Sequence, residues 1–133
     1  MATVVITGAN KGIGRQLARL YAEAGDKVVA CCRNPDGADD LKALEGDIEV
    51  KQVEVGDDAS VAALGKDLEG VAVDVLINNA GTVGPAMDQQ TLTTLDTDGW
   101  LDAFNVNTIG CFRIVHQSLK DTNRSNGVYI EGI

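Results

Sequence analysis

Positive charge is scarce in this chain: 11 Lys and Arg stand against 20 Asp and Glu, for a formal net charge of −9. That balance argues against nucleic acid or an anionic membrane as a partner, while leaving room for local basic spots. Histidine is nearly absent. His116 is the only one, and with no Ser-Asp partnership or second ligand readable nearby it reads as a helix surface or packing residue rather than a base. Cysteine is sparse and odd in number: Cys31, Cys32 and Cys111 have no metal-ligand spacing, so no metal site is expected. They read as reduced, mostly buried small residues of a cytoplasmic protein. Long apolar runs are missing too. None approaches the length of a membrane span and no signal peptide precedes the first strand, so no membrane partner is expected. Internal repeats, low-complexity tracts and signs of a second domain are also lacking.

What is present suits one globular domain: 133 residues, 44% hydrophobic and 23% charged. The chain is organised around Thr7-Gly8-Ala9-Asn10-Lys11-Gly12-Ile13-Gly14. This stretch follows the apolar run Val4-Val5-Ile6 and leads into Leu17, Leu20 and Tyr21 at helical spacing. The pattern is a strand, a glycine turn and a helix start. Gly8 can take the dihedrals of a sharp strand-to-helix turn. Gly12, without a Cβ, lets a phosphate approach the backbone, and Gly14 lets the helix pack on the strand. The helix N-terminus offers unpaired N–H groups and partial positive charge to an anion. The plain alternative is a glycine-rich turn that binds nothing. The spacing Gly-x-x-x-Gly-x-Gly differs from the commonest dinucleotide fingerprint, and no Lys-Ser or Lys-Thr pair follows for a Walker loop.

Strand-like and helix-like segments then alternate. A first helix is expected from about Ile13 to Ala24, closed by Gly25-Asp26. The near-continuous apolar run Lys27 to Cys32 predicts a strand buried on both faces. A loop at Asn34-Pro35-Asp36-Gly37 and a short helix around Leu41 and Leu44 follow. Ile48, Val50, Val53 and Val55 predict the third strand. Asp57, Asp58 or Ser60 caps a helix running to about Leu68, weakened by Gly65. Val73 to Ile77 is the fourth strand, and a loop with Gly84-Pro85 follows. One long helix, roughly Gly99 to Lys120, carries Leu101, Phe104, Ile109, Phe112 and Val115 as a stripe expected to pack on the sheet, with Trp100 and Phe104 as packing residues. Gly127 to Ile130 reads as a fifth strand. The alternation implies an α/β fold: a parallel sheet with right-handed crossovers and helices on both faces.

Four further places could carry chemistry. Arg33 directly follows the second strand, where a dinucleotide's adenosine ribose would lie. No carboxylate stands there to accept from a free 2′-hydroxyl, and a guanidinium suits a 2′-phosphate instead. Lys11 could add a second charge. Each alone reads as a solvated surface cation; together, in an acidic chain, they favour NADP(H) over NAD(H). Glu54-Val55-Gly56-Asp57 ends the third strand, and a strand end with a helix cap at Asp57 or Asp58 accounts for it equally. Asn78-Asn79-Ala80-Gly81 ends the fourth strand with two amides and two residues that have almost no side chain. Asn105-Val106-Asn107 lies inside the long helix, where asparagine competes for backbone groups and marks a tolerated polar residue or a kink.

Thr7-Gly8 through Gly14, followed by Asn78-Asn79-Ala80-Gly81 at the right strand separation, resembles the short-chain dehydrogenase/reductase family. Asn10-Lys11-Gly12-Ile13-Gly14 with Arg33 is similar to its carbonyl-reductase-like, NADP-using members. The resemblance implies a three-layer, doubly wound Rossmann-type sheet of order 3-2-1-4-5, with the ligand crevice where strands 1 and 4 diverge. It implies cofactor contacts from Gly8, Asn10, Lys11, Gly12, Ile13, Gly14, Arg33, Asn79, Ala80 and Gly81. Adenine contacts would come from Glu54 and the Val55 backbone; the family usually has Asp where Glu54 stands. Asn107 matches the family's helix asparagine, which holds a distortion and a water of the proton relay, and is the one catalytic position present.

The family transfers hydride between nicotinamide C4 and a carbonyl or alcohol carbon, using a serine and a Tyr-x-x-x-Lys. Here Tyr21 and Tyr129 are followed four residues on by Gly25 and Ile133, and no serine stands after Gly127. The expectation is a cofactor-binding N-terminal half, inactive alone, whose completed form would act on a small carbonyl or alcohol. A non-catalytic NADP-binding sensor or regulator is the second reading, and a nucleotide-independent interaction module the third. The long helix commonly builds the family's dimers, so a homo-oligomer through it is plausible. A sheet ending after the fifth strand would expose an edge that only Glu131 could blunt.

Overall fold

The structure, a computed structural model, describes residues 1–120 and 128–131, with side chains described through residue 118. Expectations for the ending Glu131-Gly132-Ile133, including the edge-blunting role of Glu131, and for the polar run 121–126 lie outside the described side chains.

Strand β1 (Thr3–Thr7) sits at the centre of the sheet between β2 (Lys27–Cys32) and β4 (Val75–Asn78). Beyond β2 lies β3 (Ile48–Gln52), and β5 (Val128–Glu131) runs alongside β4; every pairing is parallel. Because successive side chains of a strand face opposite ways, β1 feeds two cores. Val4 and Ile6 join Ala18, Ala22, Val28, Ala30 and Leu41 on one face. Val5 joins Val29, Cys31, Val61, Leu64, Leu76 and Ile114 on the other. Helices α1 (Gly12–Glu23) and α2 (Asp39–Lys42) cover the first face; α3 (Asp58–Asp67) and α5 (Gly110–Lys120) cover the second. This is the doubly wound, three-layer arrangement. Among the described residues, no helix is long and apolar enough to cross a membrane.

Several boundaries differ from expectation. β3 stops at Gln52, and Val53 and Val55, both buried, lie in the segment that follows. Their apolar side chains still face the core, which is why they read as strand. Asp57 is the residue that caps α3, its carboxylate accepting from the Ala59 N–H at 3.1 Å. The expected long helix is three pieces: α4 (Thr97–Phe104), a π-helical turn over Asn105–Ile109, and α5. The π turn inserts extra residues per turn and so shifts the buried face. As a result Trp100, Leu101, Phe104, Ile109 and Phe112 are all about half or more exposed, while Val106, Gly110 and Ile114 face inward. The packing role expected for Trp100, Leu101, Phe104, Ile109 and Phe112 is therefore corrected, while Val115 of the same stripe does pack against the second core. His116 stacks on Phe112, with ring centroids 6.1 Å apart, on that outer side.

Candidate functional site

Where β1 and β4 part, their C-terminal ends and the loops after β2 and β3 enclose a cleft of about 590 Å³. Its wall is built from the first turn outward. Gly8 has φ 64°, and a Cβ there would stand 2.9 Å from the Ala80 Cα. A Cβ on Gly14 would collide with the Gly8 carbonyl oxygen and the Asn79 amide. These two glycines thus let β1, α1 and the end of β4 meet without side chains between them. Gly12 is different. Its φ is 56°, yet a Cβ would meet nothing within 4 Å, so its backbone faces open space in the cleft.

Asn79 ties the turn to β4, its Nδ2 donating to the Gly8 carbonyl at 3.1 Å. The Thr7 hydroxyl completes the tie, because Oγ1 accepts from the backbone N–H groups of both Asn79 and Ala80 at 3.0 Å. Thr7 is 1% exposed and the two bonds are partly buried, so losing the acceptor leaves the two amides poorly hydrated. The N-terminus of α1 is left open on the cleft side. Lys11 occupies the cap position without a side-chain cap, and no acidic residue stands in the first turn. An uncapped helix start beside a Cβ-free backbone fits the pyrophosphate of a dinucleotide.

The cleft brings together Gly8, Asn10, Lys11, Gly12, Ile13, Arg33, Glu54, Val55, Asn79, Ala80 and Gly81. Two expected residues lie off its surface. Gly14 is behind the wall, at the packing contact just described. Asn107 sits in the π turn and grips the loop after β4: its Oδ1 accepts from the Thr82 N–H and its Nδ2 donates to the Thr82 carbonyl, both at 2.7 Å. A helix distortion at this asparagine was expected, and the π turn is one.

Charge in the cleft is balanced more evenly than in the chain, with Lys11 and Arg33 facing Glu54 and Asp102. Arg33 projects into solvent, its side chain 79% exposed, with its Nε 4.0 Å from the Glu54 carboxylate. Cys32 lies at the base of the same wall, and burial pushes its thiol above the usual range.

Sequence reasoning missed Thr7 as a structural acceptor, Thr82 as the partner of Asn107, and Asp102 on the rim. It also missed the brace behind the wall. Asn105 Nδ2 donates to the Gly56 carbonyl at 2.8 Å, and its Oδ1 accepts from Arg113 Nη2 at 2.7 Å. Arg113 further donates to the Val55 carbonyl at 3.0 Å and pairs with Asp58. The signal was available only as polarity in a helix, which does not name a partner.

The sequence profile described as short chain dehydrogenase matches residues 2–131. Dehydrogenase/reductase SDR family member 11 of Homo sapiens is 31% identical over 134 aligned residues, covering 92% of this chain and 50% of that protein. Protein FixR of Bradyrhizobium diazoefficiens is 32% identical over 112 residues, covering 80% of this chain and 40% of its own. A solved carbonyl reductase from Pseudomonas aeruginosa superposes with a TM-score of 0.86 at 29% identity, over 98% of this chain and 61% of that one. An actinorhodin polyketide ketoreductase solved with NADPH gives 0.78 at 29% identity, over 98% and 52%. The chain spans about half the length of the curated relatives it matches. With the sheet order, the glycine turn and the Asn79 tie alongside this match, the chain belongs to the short-chain dehydrogenase family of oxidoreductases, which bind nicotinamide dinucleotides.

Proposed function

We propose that the cleft holds a nicotinamide dinucleotide, NADP(H) in preference to NAD(H), as the cofactor-binding part of a short-chain oxidoreductase. One observation carries this reading: the uncapped start of α1 opens onto the same cleft that Lys11 and Arg33 line. The pyrophosphate lies against Gly12 and Ile13, the 2′-phosphate against Arg33 and Lys11, and the adenine against Glu54 and Val55. Asn79, Ala80 and Gly81 border the riboses. A neighbour solved with NADPH supports the choice of cofactor. The bound cofactor supplies hydride exchange with a small carbonyl or alcohol. These 133 residues contain no Tyr-x-x-x-Lys to move the accompanying proton, so on their own they bind without turnover. Asn107 keeps the loop at Thr82 in place beside the site. The reading puts this acidic chain, with its buried thiols, in the cytoplasm, and the exposed apolar side chains of α4 and α5 support pairing of two copies, which sedimentation would read.

Fluorescence titration with NADPH and NADH tests the cofactor. NADPH should bind more tightly, and Arg33→Ala should weaken NADPH about tenfold while changing NADH little. Equal losses for both cofactors would remove the 2′-phosphate assignment. Turnover of any carbonyl by this chain alone would remove the binding-only reading.

A further inference from the structure

Arg33 does not stand free at the cleft mouth. The parallel pairing of β2 with β3 continues past the strands, the Val53 N–H donating to the Cys32 carbonyl at 2.9 Å, and so sets Arg33 beside Glu54. The Glu54 carboxylate is held at one end: its Oε1 accepts from the Gly56 N–H at 3.2 Å. Gly56 is in turn fixed by Asn105, whose Nδ2 binds its carbonyl, and Asn105 is fixed by Arg113. With Oε1 occupied, Oε2 faces the Arg33 guanidinium at 4.0 Å. An aspartate, one methylene shorter, could not keep the Gly56 bond and reach as far.

We propose that Glu54 is the resting counter-ion of Arg33 and sets how strongly this site discriminates for a 2′-phosphate. The inference rests on the NADP(H) reading above and adds a second residue to it. A ligand carrying the 2′-phosphate has to draw Arg33 from a carboxylate braced in place, and its own negative charge lies near that carboxylate. A ligand with a free 2′-hydroxyl does neither. Glu54 therefore restrains the preference that Arg33 creates. Both side chains have access to solvent, so the effect is moderate and salt-sensitive.

The test measures binding of 2′,5′-ADP and 5′-AMP to the full chain by calorimetry, for wild type, Arg33→Ala, Glu54→Gln, Glu54→Asp and the Arg33→Ala/Glu54→Gln pair. Glu54→Gln keeps the acceptor for Gly56 and removes the charge. It should raise the ratio of 2′,5′-ADP to 5′-AMP affinity about three- to tenfold, with the gain shrinking as salt rises, any change at the adenine being common to both ligands. Glu54→Asp should move the ratio the same way, and the gain should vanish in the Arg33→Ala background. Thermal melts identify any variant that fails to fold, and the other Glu54 substitution then carries the test. If wild type prefers 2′,5′-ADP and loses that preference in Arg33→Ala, but neither Glu54 variant changes the ratio, the counter-ion role is overturned and the cofactor reading stands. If wild type does not prefer 2′,5′-ADP, or binds neither ligand, the cofactor reading falls and the counter-ion role with it.

Discussion

Thr7, itself buried, accepts two consecutive backbone N–H groups, those of the partly buried Asn79 and Ala80, through one hydroxyl oxygen. Thr7→Val keeps the shape and removes the acceptor, so it should cost about 1–3 kcal/mol in urea denaturation, with Thr7→Ser recovering most of it. The glycines of the same turn separate into two kinds. Gly14→Ala ought to gain about 1 kcal/mol of helix propensity. The added methyl meets the Gly8 carbonyl and the Asn79 amide, however, and overpacking of about 1–3 kcal/mol wins. Gly12→Ala has no such neighbour. It should fold with a loss of about 1 kcal/mol from its positive φ and show its main effect as weaker NADPH binding in the same titration. Their places in the turn were legible in the sequence because glycine at fixed intervals after an apolar run has few other uses. Thr7 was not, since a threonine at a strand end is ordinary β composition and its partners lie more than 70 residues away.

The helical segment after β4 holds the other half of the site through two asparagines that act differently. Asn105 is partly buried and joins the Gly56 carbonyl to Arg113, so Asn105→Ala strands both and should cost about 1–3 kcal/mol. Asn107 is exposed, and water can replace it at the Thr82 N–H and carbonyl. Asn107→Ala should therefore change stability by only about 0.5 kcal/mol, while hydrogen exchange at the Thr82 amide speeds up. Opposite ranking of the two variants would reverse these assignments. The strands and α1 were readable from apolar runs and turn residues, which depend on local sequence. The break at Asn105–Ile109 was readable only as a poor helix former. Where the helix rotates, and hence which of Phe104 or Ile114 is buried, depends on a π turn whose stabilising partners come from Thr82 and from the loop after β3.

Both faces of the sheet are sealed by helices, and a thiol in the central strands records how well. Cys31 on β2 is fully buried in the same core cluster as Val29, Val53 and Leu64, and burial, reinforced by the neighbouring Cys32, pushes its thiol up to about 12 from 9.0. The sign of the consequence follows from proton uptake. Below pH 9 both folded and unfolded chains keep the proton, and the contribution to stability is constant. Between pH 9 and 12 the unfolded thiol ionises while the folded one does not, so the unfolded chain is favoured and stability declines. The decline attributable to Cys31 should reach about 1.4 kcal/mol by pH 10 and steepen toward one such increment per pH unit above that. Cys32, shifted in the same direction, adds to it. Urea denaturation of wild type and Cys31→Ala across pH 8 to 11 separates this term from the titration of lysines and tyrosines common to both. Cys31→Ala is less stable at pH 8, because a buried sulfur is lost, but its curve should be flatter, and the two should converge as pH rises. Parallel curves would mean that the thiol ionises in the folded chain, and so that water reaches the centre of the sheet from one of its two faces.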